Sequence, residues 1–198
     1  MVHLRRQFSV TYGSESLLTH LIDVYSKRHM VLFTRGPGED DLQLVDLSDR
    51  RSVFVSPFTY RVLAQQGTLD EQDYFAYCFF TLDADQAKVF TAKLGQRLKK
   101  VLPIGMTAML LMQKKKPATD YVVLTTWVAE DDYERWRKSN DFDLLREYAT
   151  TNNQFHFAVY HVPVEEDEDE DTAEEDSDAQ KNAADNESSD HSNPHHSD

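Results

Sequence analysis

A chain of 198 residues with 40% apolar and 11% aromatic side chains can bury a sizeable core, as one compact domain or as two small halves. Its formal charge of −14 is local: from Glu165 onward the chain holds 15 of the 35 acids and only Lys181 of the 21 bases, leaving twenty of each before it. A neutral body with an acidic end offers no basic face for phosphates, so nucleic acid is excluded as a partner.

The opening "MVHLRRQFSV" has a charged pair but no apolar run behind it, and nowhere do the ~18 apolar residues of a membrane span occur. The expectation is a cytoplasmic protein, at most peripheral to a membrane. "FSVTYG" alternates and predicts a strand. "SESLLTHLIDVYSK" then sets Leu17, Leu18, Leu21, Ile22 and Tyr25 on one helical stripe, with Ser14 as N-cap. "HMVLFTRG", "LQLVDL" and "SVFVS" predict short strands, and "GPGEDD" is a turn, not a phosphate loop opening a helix. Pro57 fits the first turn of a helix, "PFTYRVLAQQG", terminated by Gly67. Residues 1–70 thus read as a smaller N-terminal α+β half.

Residues 71–164 form a second unit. "YFAYCFFTL" is continuously apolar and predicts a central strand buried on both faces. Its Cys78 is the only cysteine, so it forms neither an internal disulfide nor a cysteine metal cage, and among aromatics it reads as an inert buried thiol. "DADQAKVFTAKLGQRLKKV" places Ala87, Phe90, Leu94, Leu98 and Val101 at helical spacing, with acids first and bases last. "IGMTAMLLMQ", a lysine-rich turn closed by Pro117, "YVVLTTWV", a helical stretch and "QFHFAVYHVPV" complete β-α-β-β-α-β, the ferredoxin-like order. Helices then cover one face of an antiparallel sheet, and the other face needs cover from the N-terminal half or from a second copy, so a monomer and a homodimer both fit. Residues 165–198 contain no Leu, Ile, Val, Met or aromatic side chain and read as a disordered acidic tail. It serves as a solvating appendage, or as an arm for a basic protein partner or for "KLGQRLKK" and "QKKK" of the body. His191, His195 and His196 lack a rigid frame for a metal.

In "YVVLTTWV" Tyr121, Val123, Thr125 and Trp127 share one face. Trp127, at the strand end, is expected on the side away from the helices, where it can wall a pocket. The chain then switches to helical period, with Tyr133 and Trp136 on one stripe. Ser139 caps a further helix carrying Phe142, Leu145 and Tyr148. Trp136 and Phe142 read as helix-to-sheet packing.

"YVVLTTWVAEDDYERWRKSNDF" resembles the signature of the antibiotic biosynthesis monooxygenase (ABM) domain family: a strand ending in Trp, an acidic helix start, an aromatic pair, then Ser-x-x-aromatic. Within that family it is most similar to heme-degrading monooxygenases and to TRAP-type signal transduction proteins of Gram-positive bacteria. "SVTYGSESLL", "SPFTYRVLAQQG" and "YFAYCFFTLDADQAKVFTAKL" extend the likeness over residues 8–164. The resemblance implies a ferredoxin-like fold of the dimeric α/β-barrel type.

In heme-degrading members the iron ligand is a histidine four residues after the aromatic of Ser-x-x-aromatic; here that position is Arg146, and a protonated guanidinium has no lone pair for iron. The asparagine those enzymes carry on the domain's first strand has no counterpart among Tyr77, Cys78 and Phe79. The resemblance therefore implies a pocket of Trp127, Thr125, Cys78 and Arg146, with Arg146 free to pair with a ligand carboxylate or with its own neighbours Asp143 and Glu147. The first expectation is a regulatory or ligand-binding member, taking a small apolar or tetrapyrrole ligand. The alternative is a monooxygenase, either heme-degrading or independent of any cofactor, with His156 as replacement ligand or acid–base group. His161 lies five residues on, so on a strand the two face opposite sides and only one serves a given site.

Overall fold

The computed structural model describes residues 5–36, 42–70 and 74–163. In the N-terminal half, alternating Phe8, Val10 and Tyr12 make strand β1 (Gln7–Tyr12). It is followed by α1 (Glu15–Val24), β2 (Met30–Phe33), β3 (Gln43–Asp46) and β4 (Phe58–Gly67). Ser14 starts α1 with an extended backbone, but its hydroxyl makes no capping bond and meets Ser16 Oγ at 3.3 Å instead. The helix buries Leu18 against Leu44 and Phe54.

Two expectations for this half are corrected. "SVFVS" forms no strand: β1 already has β3 on one edge and β4 on the other. Phe54 instead packs beside Leu18, and Val55 is fully exposed. The helix expected at "PFTYRVLAQQG" is the ten-residue strand β4. Its apolar residues fit helical spacing as well as alternation, and its partners decide between the two. β1 bonds one edge (Phe8↔Tyr60) and β6, introduced below, bonds the other (Tyr60↔Lys114), so the backbone polar groups are satisfied by remote segments. Gly67 closes a strand, not a helix: its φ is +78°, and a Cβ there would lie 2.0 Å from the Thr107 carbonyl oxygen.

The C-terminal half comprises β5 (Tyr74–Thr81), α2 (Ala84–Arg97), β6 (Met106–Lys114), β7 (Asp120–Trp127), α3 (Glu130–Lys138), a 3-10 turn (Asn140–Phe142), α4 (Asp143–Arg146) and β8 (His156–Tyr160). Asp83 and Gln86 form a reciprocal capping box at the start of α2. The helix stops at Arg97, short of Val101, which is 90% exposed and not on a buried stripe. Leu98 makes the last helical contact and Pro103 follows five residues on.

The eight strands of the described residues form one antiparallel sheet in the order β2-β3-β1-β4-β6-β7-β5-β8. Each half repeats one arrangement, β2-β3-β1-β4 and β6-β7-β5-β8. A bridge between Thr34 and His161, with N–H···O distances of 2.8 and 2.9 Å, ties the β2 end to the β8 end. The sheet thereby curls into a nearly closed barrel. Phe8, Phe33, Tyr60, Phe75, Tyr77, Leu110 and Leu124 fill its interior, so side chains of the N-terminal strands cover the inner face of the C-terminal ones. Outside, α2, α3 and α4 pack Phe90, Leu94, Trp136 and Leu145 against Met109, Val123 and Trp127. Among the described residues, no helix is long and apolar enough to cross a membrane. The acidic segment 165–198 lies outside the described residues.

Candidate functional site

Trp127 faces the helices, not away from them as expected. Val122 and Leu124 of β7 enter the barrel interior, and a strand's period of two then sends Tyr121, Val123, Thr125 and Trp127 outward. Only Ala129 separates the exposed Val128 from the acidic first turn of α3 (Glu130, Asp131, Asp132), so this helix folds straight back over the strand end. Trp136 and Tyr133 come to rest at ring distances of 5.2 and 5.9 Å from Trp127, and Phe142 packs edge-on to Trp136 at 5.0 Å. Trp127 has 0% exposure. Its Nε1–H donates to Thr125 Oγ1 at 2.9 Å, and Thr125 donates in turn to the Ala76 carbonyl at 3.4 Å. The strand-end tryptophan is therefore the centre of an aromatic core.

Of the residues expected at the pocket, Thr125, Cys78 and Trp127 share this outer face, with Ala76 opposite Thr125 and Cys78 opposite Val123. Burial pushes the Cys78 thiol up to about 12, and the nearby Arg137 opposes that rise. The Tyr133 hydroxyl and Trp136 Nε1 are buried without a hydrogen-bond partner among the described residues. Arg137 lies over the Tyr133 ring, 5.6 Å from its centroid.

Arg146 stands at the rim. It pairs with Asp143 and donates to the carbonyls of Arg137 (2.9 Å) and Ser139 (3.3 Å), tying the end of α3 to α4. His156 is on the other side of the sheet: paired with Phe79, it points into the barrel, stacked on that ring at 4.5 Å. It does not share a site with Trp127. His161 lies on the outer face, stacked on Tyr74 at 5.5 Å, and Tyr74 is the strand partner of Trp127. Tyr74 donates to Glu130 at 2.9 Å. Among the described residues, no three His, Cys, Asp or Glu side chains converge as a metal site.

Sequence reasoning missed an open cleft of about 460 Å³ between the end of α2 and α3. Trp136 lines it, the exposed Val101 and Ile104 supply apolar wall, and Arg97, Lys100 and Arg135 bring three cations to Asp132 and Asp141. Arg135 is paired with Asp132, and Arg97 donates to the Val101 carbonyl at 3.2 Å. The signal was "RLKKVLPIG", whose basic run reads equally as the ordinary charge pattern of a helix end.

No protein-family model matches the sequence. Solved structures do. A ferredoxin-fold protein of Listeria monocytogenes, described as related to antibiotic biosynthesis monooxygenases, superposes with a TM-score of 0.68 at 19% identity over 81% of this chain and 96% of its own. The fold is that of the ABM-like proteins. Two further ABM-fold neighbours carry different roles. A heme-degrading enzyme from L. monocytogenes matches with a TM-score of 0.66 at 19% identity, over 80% of this chain and all of its own. A protein described as a major regulator of staphylococcal pathogenesis matches with 0.65 at 19%, over 80% and 99%. One fold thus hosts enzyme and regulator, and the site has to separate them.

Proposed function

We propose that this ABM-fold protein is a ligand-binding, regulatory member, which takes an amphipathic anion in the cleft between α2 and α3. The observation that carries the reading is Trp136. Its indole ring lines the cleft, and Arg97, Lys100 and Arg135 stand around the same opening against Asp132 and Asp141, an excess of one cation. Cations beside an aromatic and apolar wall suit an anionic head on an apolar body.

Heme fits this chain poorly. The space between helices and sheet is taken by Trp127, Tyr133 and Trp136, and the position that carries iron in the enzymes this sequence resembles is held by an ion-paired Arg146. No step through heme follows from these residues. The catalytic alternative keeps one feature in its favour, His161 on the outer face beyond Tyr74.

Titration with dodecanoate, read by tryptophan fluorescence and calorimetry, tests the reading. Saturable binding is expected, weakened about tenfold or more in the Arg97→Ser/Lys100→Ser double variant, as charged hydrogen-bond partners are removed. Absence of binding, or binding indifferent to that variant, rejects it. A parallel heme titration with reductant serves the alternative: a saturable Soret shift followed by bleaching would favour the enzyme, with His161 the first ligand to replace.

A further inference from the structure

The opposite side of the sheet holds a second cavity, independent of the cleft above. At one end of the barrel Tyr12, Phe58, Tyr60, Phe79, Lys114 and His156 enclose about 260 Å³. The topology brings them together. These residues come from β1, β4, β5, β6 and β8 and project inward at the same end, where Phe8↔Tyr60, Tyr60↔Lys114 and Phe79↔His156 are register pairs.

The walls are aromatic. Tyr12 and Phe58 meet edge-on at 5.7 Å, the Lys114 ammonium lies 5.1 Å from the Phe58 ring centre, and the Phe79 and His156 rings are nearly parallel, 7° apart in tilt. Three nearby tyrosine hydroxyls are bonded. Tyr77 donates to Gln43 Oε1 at 2.9 Å, Gln43 Nε2 donates to Tyr12 at 2.7 Å, and Gln113 Nε2 donates to Tyr121 at 2.9 Å. The Tyr60 hydroxyl differs. Tyr60 is 6% exposed and lines the cavity, yet its hydroxyl makes no hydrogen bond to any described residue. Burial raises its phenol well above the usual range, and Tyr12 and Asp120 push the same way, so it stays a proton donor.

Charge narrows the occupant. Lys114 Nζ and Asp120 Oδ2 are 3.4 Å apart at this end, so the pair offers no net attraction to an anion, and the Asp120 carboxylate repels one. We propose that this end of the barrel binds a small neutral aromatic molecule bearing a hydroxyl or carbonyl oxygen, its ring against the Phe58 and Phe79 walls and its oxygen accepting from the Tyr60 hydroxyl. The volume suits one or two fused rings. The Asp120 carboxylate accepts from Thr81 and Thr119 at Oδ1 and only from Lys114 at Oδ2, so Oδ2 takes a ligand hydroxyl as well, which favours a phenol over an ether.

The test is calorimetric titration of the full chain with 2-naphthol, and with 2-naphthoate as its charged counterpart. Saturable 1:1 binding of 2-naphthol is expected, with 2-naphthoate at least about tenfold weaker. Tyr60→Phe keeps the ring and removes the donor, and weakens 2-naphthol by about 3- to 10-fold, the value of one neutral hydrogen bond. Phe58→Ala, at an exposed position, weakens it as well. Trp136→Phe and the Arg97/Lys100 double variant leave it unchanged, which separates this site from the cleft between α2 and α3. No saturable heat, equal affinity for the naphthoate, or affinity unmoved by both Tyr60→Phe and Phe58→Ala overturns the proposal.

Discussion

Trp127 and Trp136 stand ring to ring at 5.2 Å, yet they differ at the indole nitrogen: Trp127 donates to Thr125 Oγ1 at 2.9 Å, whereas Trp136 is buried with no acceptor. Trp127 is thus a satisfied core residue, and Trp136 carries an unmet donor beside an open cleft. Truncating Trp127 to alanine is expected to cost about 3–5 kcal/mol, as for other large buried aromatics. Trp136→Phe removes the orphan donor along with some contact area, and is expected to cost no more than about 1 kcal/mol. Urea unfolding followed by circular dichroism compares the two; equal costs would mean that the indole N–H of Trp136 is satisfied in solution.

Thr125 holds Trp127 in place through that bond. Thr125→Val preserves shape but strands a buried indole N–H, and should destabilise by about 1–3 kcal/mol. Thr125→Ser retains the hydroxyl and should recover most of the loss, an outcome that a purely steric role for the threonine would not give.

Gly67 and Gly95 should respond to alanine with opposite signs. At Gly67, φ is +78° and the new Cβ would meet the Thr107 carbonyl at 2.0 Å, so Gly67→Ala is expected to cost about 1–3 kcal/mol or more. Gly95 lies inside α2 with nothing within 4 Å of a new Cβ, so Gly95→Ala should stabilise by about 0.5–1 kcal/mol. Denaturant midpoints of the two variants check both, and a neutral Gly67→Ala would contradict the strand end described for β4.

The Cys78 thiol, held up at about 12 by burial, carries almost no thiolate near neutral pH. A disulfide reagent at about pH 8 should leave the native protein unmodified and titrate one thiol after denaturation. Rapid labelling of the folded chain would show that the face under α3 opens.

Tyr74 is raised to about 12, first by burial and then by its bond to the Glu130 carboxylate. A phenol whose folded value exceeds its unfolded one contributes stability that is whole below about pH 10 and fades as pH rises towards 12. Glu130→Gln should lower the midpoint of one phenolate in an absorbance titration; an unchanged curve would place Tyr74 away from Glu130.

The ferredoxin-like order of the C-terminal half was legible because each of its elements carries its own period: a continuous apolar run for β5, a capping box and helical stripe for α2, alternation for β7. Burial of Cys78 followed from its aromatic neighbours. β4 was not legible, since Phe58, Tyr60, Val62 and Leu63 satisfy either period, and the hydrogen bonds that choose a strand come from β1 and from β6, whose paired residues lie some forty to fifty positions away. The face of Trp127 was likewise open. Alternation groups it with Thr125, but which group meets the helices depends on the barrel interior that claims Val122 and Leu124. Period placed Thr125 and Trp127 on one face, but that Cys78 shares it depends on the pairing of β5 with β7, and His156 is separated from them by sheet parity fixed through Phe79.

Local periodicity and residue chemistry, then, determined most strands and helices, the neutral body and its acidic end, and the arginine at position 146. Tertiary structure alone decided that both halves share one sheet closed at Thr34 and His161, that Trp127 lies under helices, and that Tyr60 and Trp136 each line a cavity. The reason is that strand pairing and enclosure depend on partners distant in sequence, and no local window records which partner satisfies a given hydrogen bond.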